Sequence, residues 1–167
     1  MHYHRRRRNG ELPMLPKSSM EERFWAKVEK SDGCWYWTGA KNDGYGHFTS
    51  GGKTCLSHRY SYELVNGPVP DGLVIDHICG NRACVKPDDL RPATHKQNQE
   101  HRFGAAKIST SGIRGVIRRG GSWGAYVTHR RKLHWIGSFS SPEAAERAVI
   151  AKRNELFTHN DVDRNVS

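Results

Sequence analysis

The chain has 167 residues, with 27 Lys and Arg against 17 Asp and Glu and a formal net charge of +10. A hydrophobic share of 35% supports one modest core or two thin ones, and thin cores often need a metal as a staple. No run approaches the ~18 apolar residues of a membrane span, and the Arg-rich start lacks the apolar segment of a secretory signal. Membrane insertion and secretion are therefore not expected. The clustered basic residues point to a polyanionic partner, foremost nucleic acid. Four cysteines without a secretory signal suit metal binding in a reducing compartment better than disulfides.

Residues 1–18 read as a disordered basic arm, in which Arg5 to Arg8 either pair with phosphates or are simply solvated. Ser19 followed by Glu22 is a capping box and predicts a helix over 20–29 with Phe24, Trp25 and Val28 on its apolar side. "CWYWTGA" predicts a strand, and "GYGHFTS", a Gly-Gly turn and "KTCLS" predict a hairpin. Ser57 can cap a helix through "HRYSYELVN", with Gly67 just past its end. "LVID" reads as a buried strand ending at Asp76 and His77, residues 78–89 have no regular period, and "LRPA" reads as a return strand. Thr94 and Gln97 form another capping signal, for a helix to about 102.

Residues 103–111 are small and polar and make a linker. "GIRGVIRR", "SWGAYVTHR" and "LHWIGSF" then predict a three-stranded antiparallel sheet. Ser141, Pro142 and Glu143 start a helix with a cap, a proline at the first position and an acid in the first turn. Its Ala144, Ala145, Ala148, Val149 and Leu156 share a face that can lie close on the sheet. The tail from 159 is expected to fray. The expected class is α+β, with units at 19–102 and 112–158.

Cys79 and Cys84 flank "GNRA", a tight turn between ligands at a spacing seen in zinc sites, and Cys34 is a natural third ligand. The fourth is Asp89, through oxygen, or Cys55; the plain alternative is four buried free thiols. Asp76 and His77 end one strand, so alternation sends their side chains to opposite faces. His77 is suited to act as a base near neutral pH. Asp76 and the Asn98 amide, on the capped helix beside His95, offer oxygen donors to a hard divalent ion. A structural Asp–His hydrogen bond would use the same residues. Arg59 either contacts phosphate or makes a structural ion pair.

"GCWYWTGAKNDGYGHF" and "SHRYSYELVNGPVPDGLVIDHICGNRACVKPDDLRPATHKQNQEHR" carry a resemblance to the HNH endonucleases of phage and mobile-intron type, over about 21–102. The resemblance implies a ββα-metal fold. It implies His77 as the general base, Asp76 and Asn98 as ligands of magnesium or manganese, and duplex DNA as the substrate. It also implies a phage-encoded protein acting in the cytoplasm of a bacterial host. The cysteines are similar to those of the His-Cys box homing endonucleases, which places structural zinc on Cys34, Cys79, Cys84 and position 89. The Cys-containing relatives usually have His at that position and others Asn, where this chain has Asp89; Asn98 stands at the last position in place of His, and Asn is common there in the family.

The second unit interleaves Arg114, Arg118, Arg119, Arg130, Arg131 and Lys132 with Trp123, Tyr126 and Trp135. Alternation puts Trp123 and Ala125 on one face, and Tyr126 and Thr128 on the other. "IRGVIRRGGSWGAYVTHRRKLHWIGSFSSPEAAERAV" resembles the DNA-binding domain of plant ethylene-response factors, whose sheet lies in the major groove. The likeness maps family positions onto Arg114, Arg119 and Trp135, while Ile117 and Thr128 replace two contact arginines. The expected DNA contacts are Arg59, Arg114, Arg118, Arg119, Trp123, Tyr126, Thr128, Arg130 and Trp135. Together these features read as a metal-dependent endonuclease, monomeric or homodimeric. The rivals are a non-catalytic, zinc-stabilised DNA-binding regulator and a basic RNA-binding protein.

Overall fold

The computed structural model describes residues 18–102, 104–106 and 108–164. The basic arm at Arg5–Arg8, and Phe103 and Lys107 of the linker, lie outside the described residues. The chain is a mixed α+β protein with several small sheets and few helices. Among the described residues, no helix is long and apolar enough to cross a membrane.

The capping box forms as expected: Ser19 Oγ accepts from the Glu22 N–H at 3.0 Å, and Glu22 Oε2 accepts from the Ser19 N–H at 2.7 Å. The helix it starts, α1, is Met20–Trp25 and ends short of residue 29. Val28 is drawn out of it into strand β1 (Val28–Glu29), which pairs antiparallel with β2 (Tyr36–Trp37). Thr38 holds the turn through its N–H and its hydroxyl, both donating to the Lys27 carbonyl at 2.9 Å. This pairing brings Trp37 onto Phe24 with ring centroids 5.1 Å apart, and the two are buried with Phe48 and Val85.

The next strands are β3 (Lys41–Asn42), β4 (Tyr45–Ser50) and β5 (Lys53–Leu56), in one antiparallel sheet. Helix α2, Ser57–Asn66, follows directly and ends at Gly67 with φ 81°. Ser57 does not cap it. Leu56 holds the N-cap position, and the Ser57 hydroxyl is buried against Gly46, where a Cβ would lie 2.0 Å from it. Strand β6 (Val74–His77) pairs antiparallel with β7 (Leu90–Ala93), and the loop between them closes through a 3₁₀ turn at Pro87–Asp89. Helix α3, His95–Glu100, leaves β7 through the Thr94–Gln97 capping box.

In the second unit β8 (Val116–Arg119), β9 (Ser122–His129) and β10 (Lys132–Phe139) form the expected three-stranded sheet. Helix α4, Pro142–Leu156, covers one face. Ala145 is fully buried there with Val116, Ala125, Val127, Val149 and Phe157, so the small side chain sets the close approach. Among the described residues, the segment after 158 is ordered by a helix. Residues Asp161–Arg164 form helix α5, in which Asp163 grips Arg153 at 2.6 and 2.7 Å. A guanidinium this buried needs a carboxylate, and Asp163 supplies it.

The β9–β10 turn is conformationally costly. His129 pairs with Lys132, and the two residues between them, Arg130 and Arg131, have φ of 50° and 63°. This is the left-handed region that two-residue hairpins normally fill with Asn-Gly. Arg130→Asn combined with Arg131→Gly should raise stability by about 1–2 kcal/mol, read as a higher urea midpoint at unchanged slope; no change or a decrease would show that the turn is unstrained.

Candidate active site and metal centre

Alternation along β6 separates Asp76 from His77, as the sequence implies. His77 is buried, and its Nε2 lies 3.1 Å from the Cys84 carbonyl. A carbonyl only accepts, so Nε2 carries the proton and the Nδ1 lone pair is left for other use. Its ring packs 4.5 Å from His58 and 6.0 Å from Tyr45. Burial pushes His77 below the usual imidazole range and takes His58 down to about 3, His58 also facing His77 and Arg59. Both rings are thus neutral at neutral pH. His58 is 3% exposed, with a buried Nδ1 that has no hydrogen-bond partner. Sequence reading passed over it, although its place in the first turn of a helix following the predicted hairpin was visible.

Asp76 faces another set of charges. Its carboxylate takes Arg91 Nε at 3.1 Å and His101 Nδ1 at 3.0 Å. Burial alone would raise its pKa, but His101 and Arg91 more than offset that and hold it below the usual carboxylate range. Arg91 Nη2 also pairs with Asp161 of α5 at 2.6 Å. Asn98 sits one turn before His101 and so on the same side of α3. It is half-buried, and among the described residues its amide makes no side-chain hydrogen bond. His95 is exposed. The sequence does not signal His101 or Asp161: the capping pattern marks only the start of the helix that carries His101, and Asp161 lies in a polar tail expected to fray.

The structure does bring Cys34, Cys79, Cys84 and Asp89 together, with one ligand atom of each within 4.8 Å of the others. The loop is docked on the β2 segment by backbone bonds: Trp37 N–H to Ala83 O at 2.9 Å and Val85 N–H to Trp35 O at 2.8 Å. The Ile78 N–H to Asp89 O bond, 2.8 Å, closes it. Within the cluster a hydrogen bond from Cys84 lowers the Cys79 thiol, while the same contact raises Cys84 and burial raises Cys34. Three sulfurs and a carboxylate oxygen make a donor set that fits a tetrahedral metal ion. Cys55 is elsewhere, donating to the Phe48 carbonyl at 3.4 Å within the aromatic core. Asp89, not Cys55, stands at the fourth corner.

The expected DNA contacts divide. Arg59 pairs with Glu63 at 2.9 Å along α2. Arg114 turns away from the open face of the sheet and donates to the carbonyls of Gln99, Glu100 and Arg102 at the end of α3. The last carbonyls of a helix lack i+4 partners, and the guanidinium matches the negative end of the helix. Trp123 packs on the core under α4, with Arg118 over it at 5.0 Å. The face opposite α4 carries Arg119, Tyr126, Thr128 and Trp135, by cross-strand register. Trp135 is 45% exposed; it lies across Gly124 with Arg119 stacked on it at 5.2 Å. Arg130 is exposed at the tip.

Residues 55–100, from β5 through α2, the β6–β7 pair and α3, match the HNH endonuclease family. Protein 3.8 of Escherichia phage T7 is 37% identical over 109 residues, which is 64% of this chain and 87% of that protein. The chain belongs to the family of phage T7 Protein 3.8. Protein 7.7 of the same phage is 44% identical over 68 residues, 40% of this chain and 52% of that protein. Protein 2.8 is 38% identical over 71 residues, 41% of this chain and 48% of that protein. The chain thus spans only about half of Protein 7.7 and Protein 2.8. No solved structure matches, and none of these matches bears on the ethylene-response-factor likeness of the second unit.

Because Arg114 clasps α3, Arg114→Ala should destabilise the chain by about 3 kcal/mol in urea melts. Arg119→Ala, on the open face, should cost less than about 0.5 kcal/mol. Equal effects would contradict the structural role.

Proposed function

We propose that the chain is a metal-dependent DNA endonuclease whose nuclease unit, 19–102, is held on duplex DNA by a docking unit, 112–158. The observation that carries this reading is His77, a buried neutral imidazole with its proton fixed on Nε2, within the segment that matches the HNH endonucleases. His77 takes a proton from the attacking water. Asp76 and the Asn98 amide would hold magnesium or manganese, which supplies Lewis-acid stabilisation of the leaving oxygen. Cys34, Cys79, Cys84 and Asp89 bind structural zinc and fix the loop that orients His77. Arg119, Tyr126, Thr128, Arg130 and Trp135 dock in the major groove, with Arg59 and Arg118 at the periphery. The ethylene-response-factor likeness supports that docking mode. One nuclease site per chain gives a nick, and a homodimer a double-strand break. The phage relatives favour action in the cytoplasm of a bacterial host.

The second reading, a non-catalytic DNA-binding regulator, draws on the ion pairs that occupy Asp76. Supercoiled plasmid separates the two. Wild-type protein should nick it only with added magnesium or manganese, and His77→Ala should lose at least about 100-fold in rate. Nicking that survives His77→Ala unchanged, or clean protein that never nicks, ends the nuclease reading.

Metal analysis of the purified chain should find zinc near one equivalent. Cys84→Ser and Asp89→Ala should lose it and unfold more readily, while Cys55→Ala should retain it. Zinc lost with Cys55→Ala and kept with Asp89→Ala would reassign the fourth ligand.

A further inference from the structure

A cavity of about 770 Å³ opens between α3, the segment leading to β8, and the turn end of the sheet, within the size range of ligand sites. Lys96, Gln99 and Arg102 line it from one side, and Thr128, Arg130 and Arg131 from the other. Arg102, Arg130 and Arg131 are exposed, and none pairs with a carboxylate among the described residues. The acid at its wall, Glu100, is already engaged by Lys96 at 2.7 Å and by the Thr158 N–H and hydroxyl at 3.0 and 3.1 Å. The carbonyl end of α3 would repel an anion, but Arg114 takes up those carbonyls. Among the described residues that line the cavity, the cationic side chains therefore outnumber the single carboxylate.

The β9–β10 turn borders the same cavity. Arginines occupy both left-handed positions, where smaller residues would sit without strain, and both line this cavity. Strain of this kind is a mark of function rather than of folding. Gln99 follows Asn98 on α3, while Thr128 belongs to the open face of the sheet.

We propose that this inter-unit cleft binds the phosphodiester backbone of the DNA substrate, with Arg102 and Arg131 gripping phosphates on the strand between the HNH unit and the sheet. The proposal rests on the nuclease reading only in taking duplex DNA as the partner. Contacts from this cleft are additional to those of the open face.

Binding of a short mixed-sequence duplex is followed by fluorescence anisotropy across a potassium chloride series. The full chain is used with His77→Ala as the background, so that the probe is not cut. Adding Arg102→Gln and Arg131→Gly should weaken binding by on the order of tenfold at low salt and flatten the slope of log K against log salt by about 0.9 for each lost phosphate contact. Arg131→Gly relieves the strained turn, so misfolding does not confound it. Arg147→Gln, on the helix covering the opposite face of the sheet, controls for net charge and should leave the slope unchanged. An unaltered slope in the double variant, or an equal change with Arg147→Gln, overturns the cleft while leaving DNA binding intact. Free ATP bound tightly with an unaltered duplex slope makes a nucleotide the occupant and also overturns it. Failure of the background protein to bind duplex at all is a different result, which removes the nuclease reading and the cleft together.

Discussion

The arrangement depends on one crowded point, where Cys34, Cys79, Cys84 and Asp89 converge within 4.8 Å. Cys84 serves it twice over. Its sulfur belongs to the cluster, while its carbonyl lies 3.1 Å from His77 Nε2 and fixes which ring nitrogen holds the proton. An irregular loop has little local reason to keep that carbonyl in place, since it lacks a helical or strand ladder of its own. The pairing of Ala83 and Val85 with the β2 segment and the four-cornered cluster supply what the loop lacks. Loosening the cluster therefore reaches His77 through a single peptide group.

The opposite face of β6 is governed from farther along the chain. Asp76 is held by Arg91 and His101, and Arg91 passes the charge on to Asp161 in α5. Glu100 is joined to Thr158, and Arg114 closes the end of α3. The second unit is thus attached to the first by ion pairs and helix-end carbonyls rather than by a shared apolar core. Such contacts are directional, and they fix α3, with Asn98 on it, relative to the sheet.

Local chemistry was legible in the sequence. Both capping boxes, the hairpin, the sheet of the second unit and the Cys79–Cys84 pair follow from short patterns with a steric or ligand reason, while the fourth corner stays open in the sequence between Asp89 and Cys55. Long-range pairing was not. Val28 continues the helical pattern, and pairing with Trp37, which packs on Phe24, makes it a strand residue. Arg114 looks like its neighbours Arg118 and Arg119; what distinguishes it is the end of α3, which only the fold brings to it. His58, His101 and Asp161 escaped notice for the same reason, because each acquires its role from a partner remote in sequence.

Strand alternation sets both arrangements. Adjacent residues on β6 must face apart, so the chain answers to different neighbours at each: the cysteine loop at His77 and the charged seam with the second unit at Asp76. Divalent-ion chemistry at Asp76 would have to draw its carboxylate partly away from Arg91 and His101. A phosphate near Arg91 would favour that, because it offers the guanidinium another anion in place of the carboxylate. Under the proposed nuclease function, the ion pairs at Asp76 would be a resting arrangement, in which the buried carboxylate keeps its charge until substrate takes over its partner.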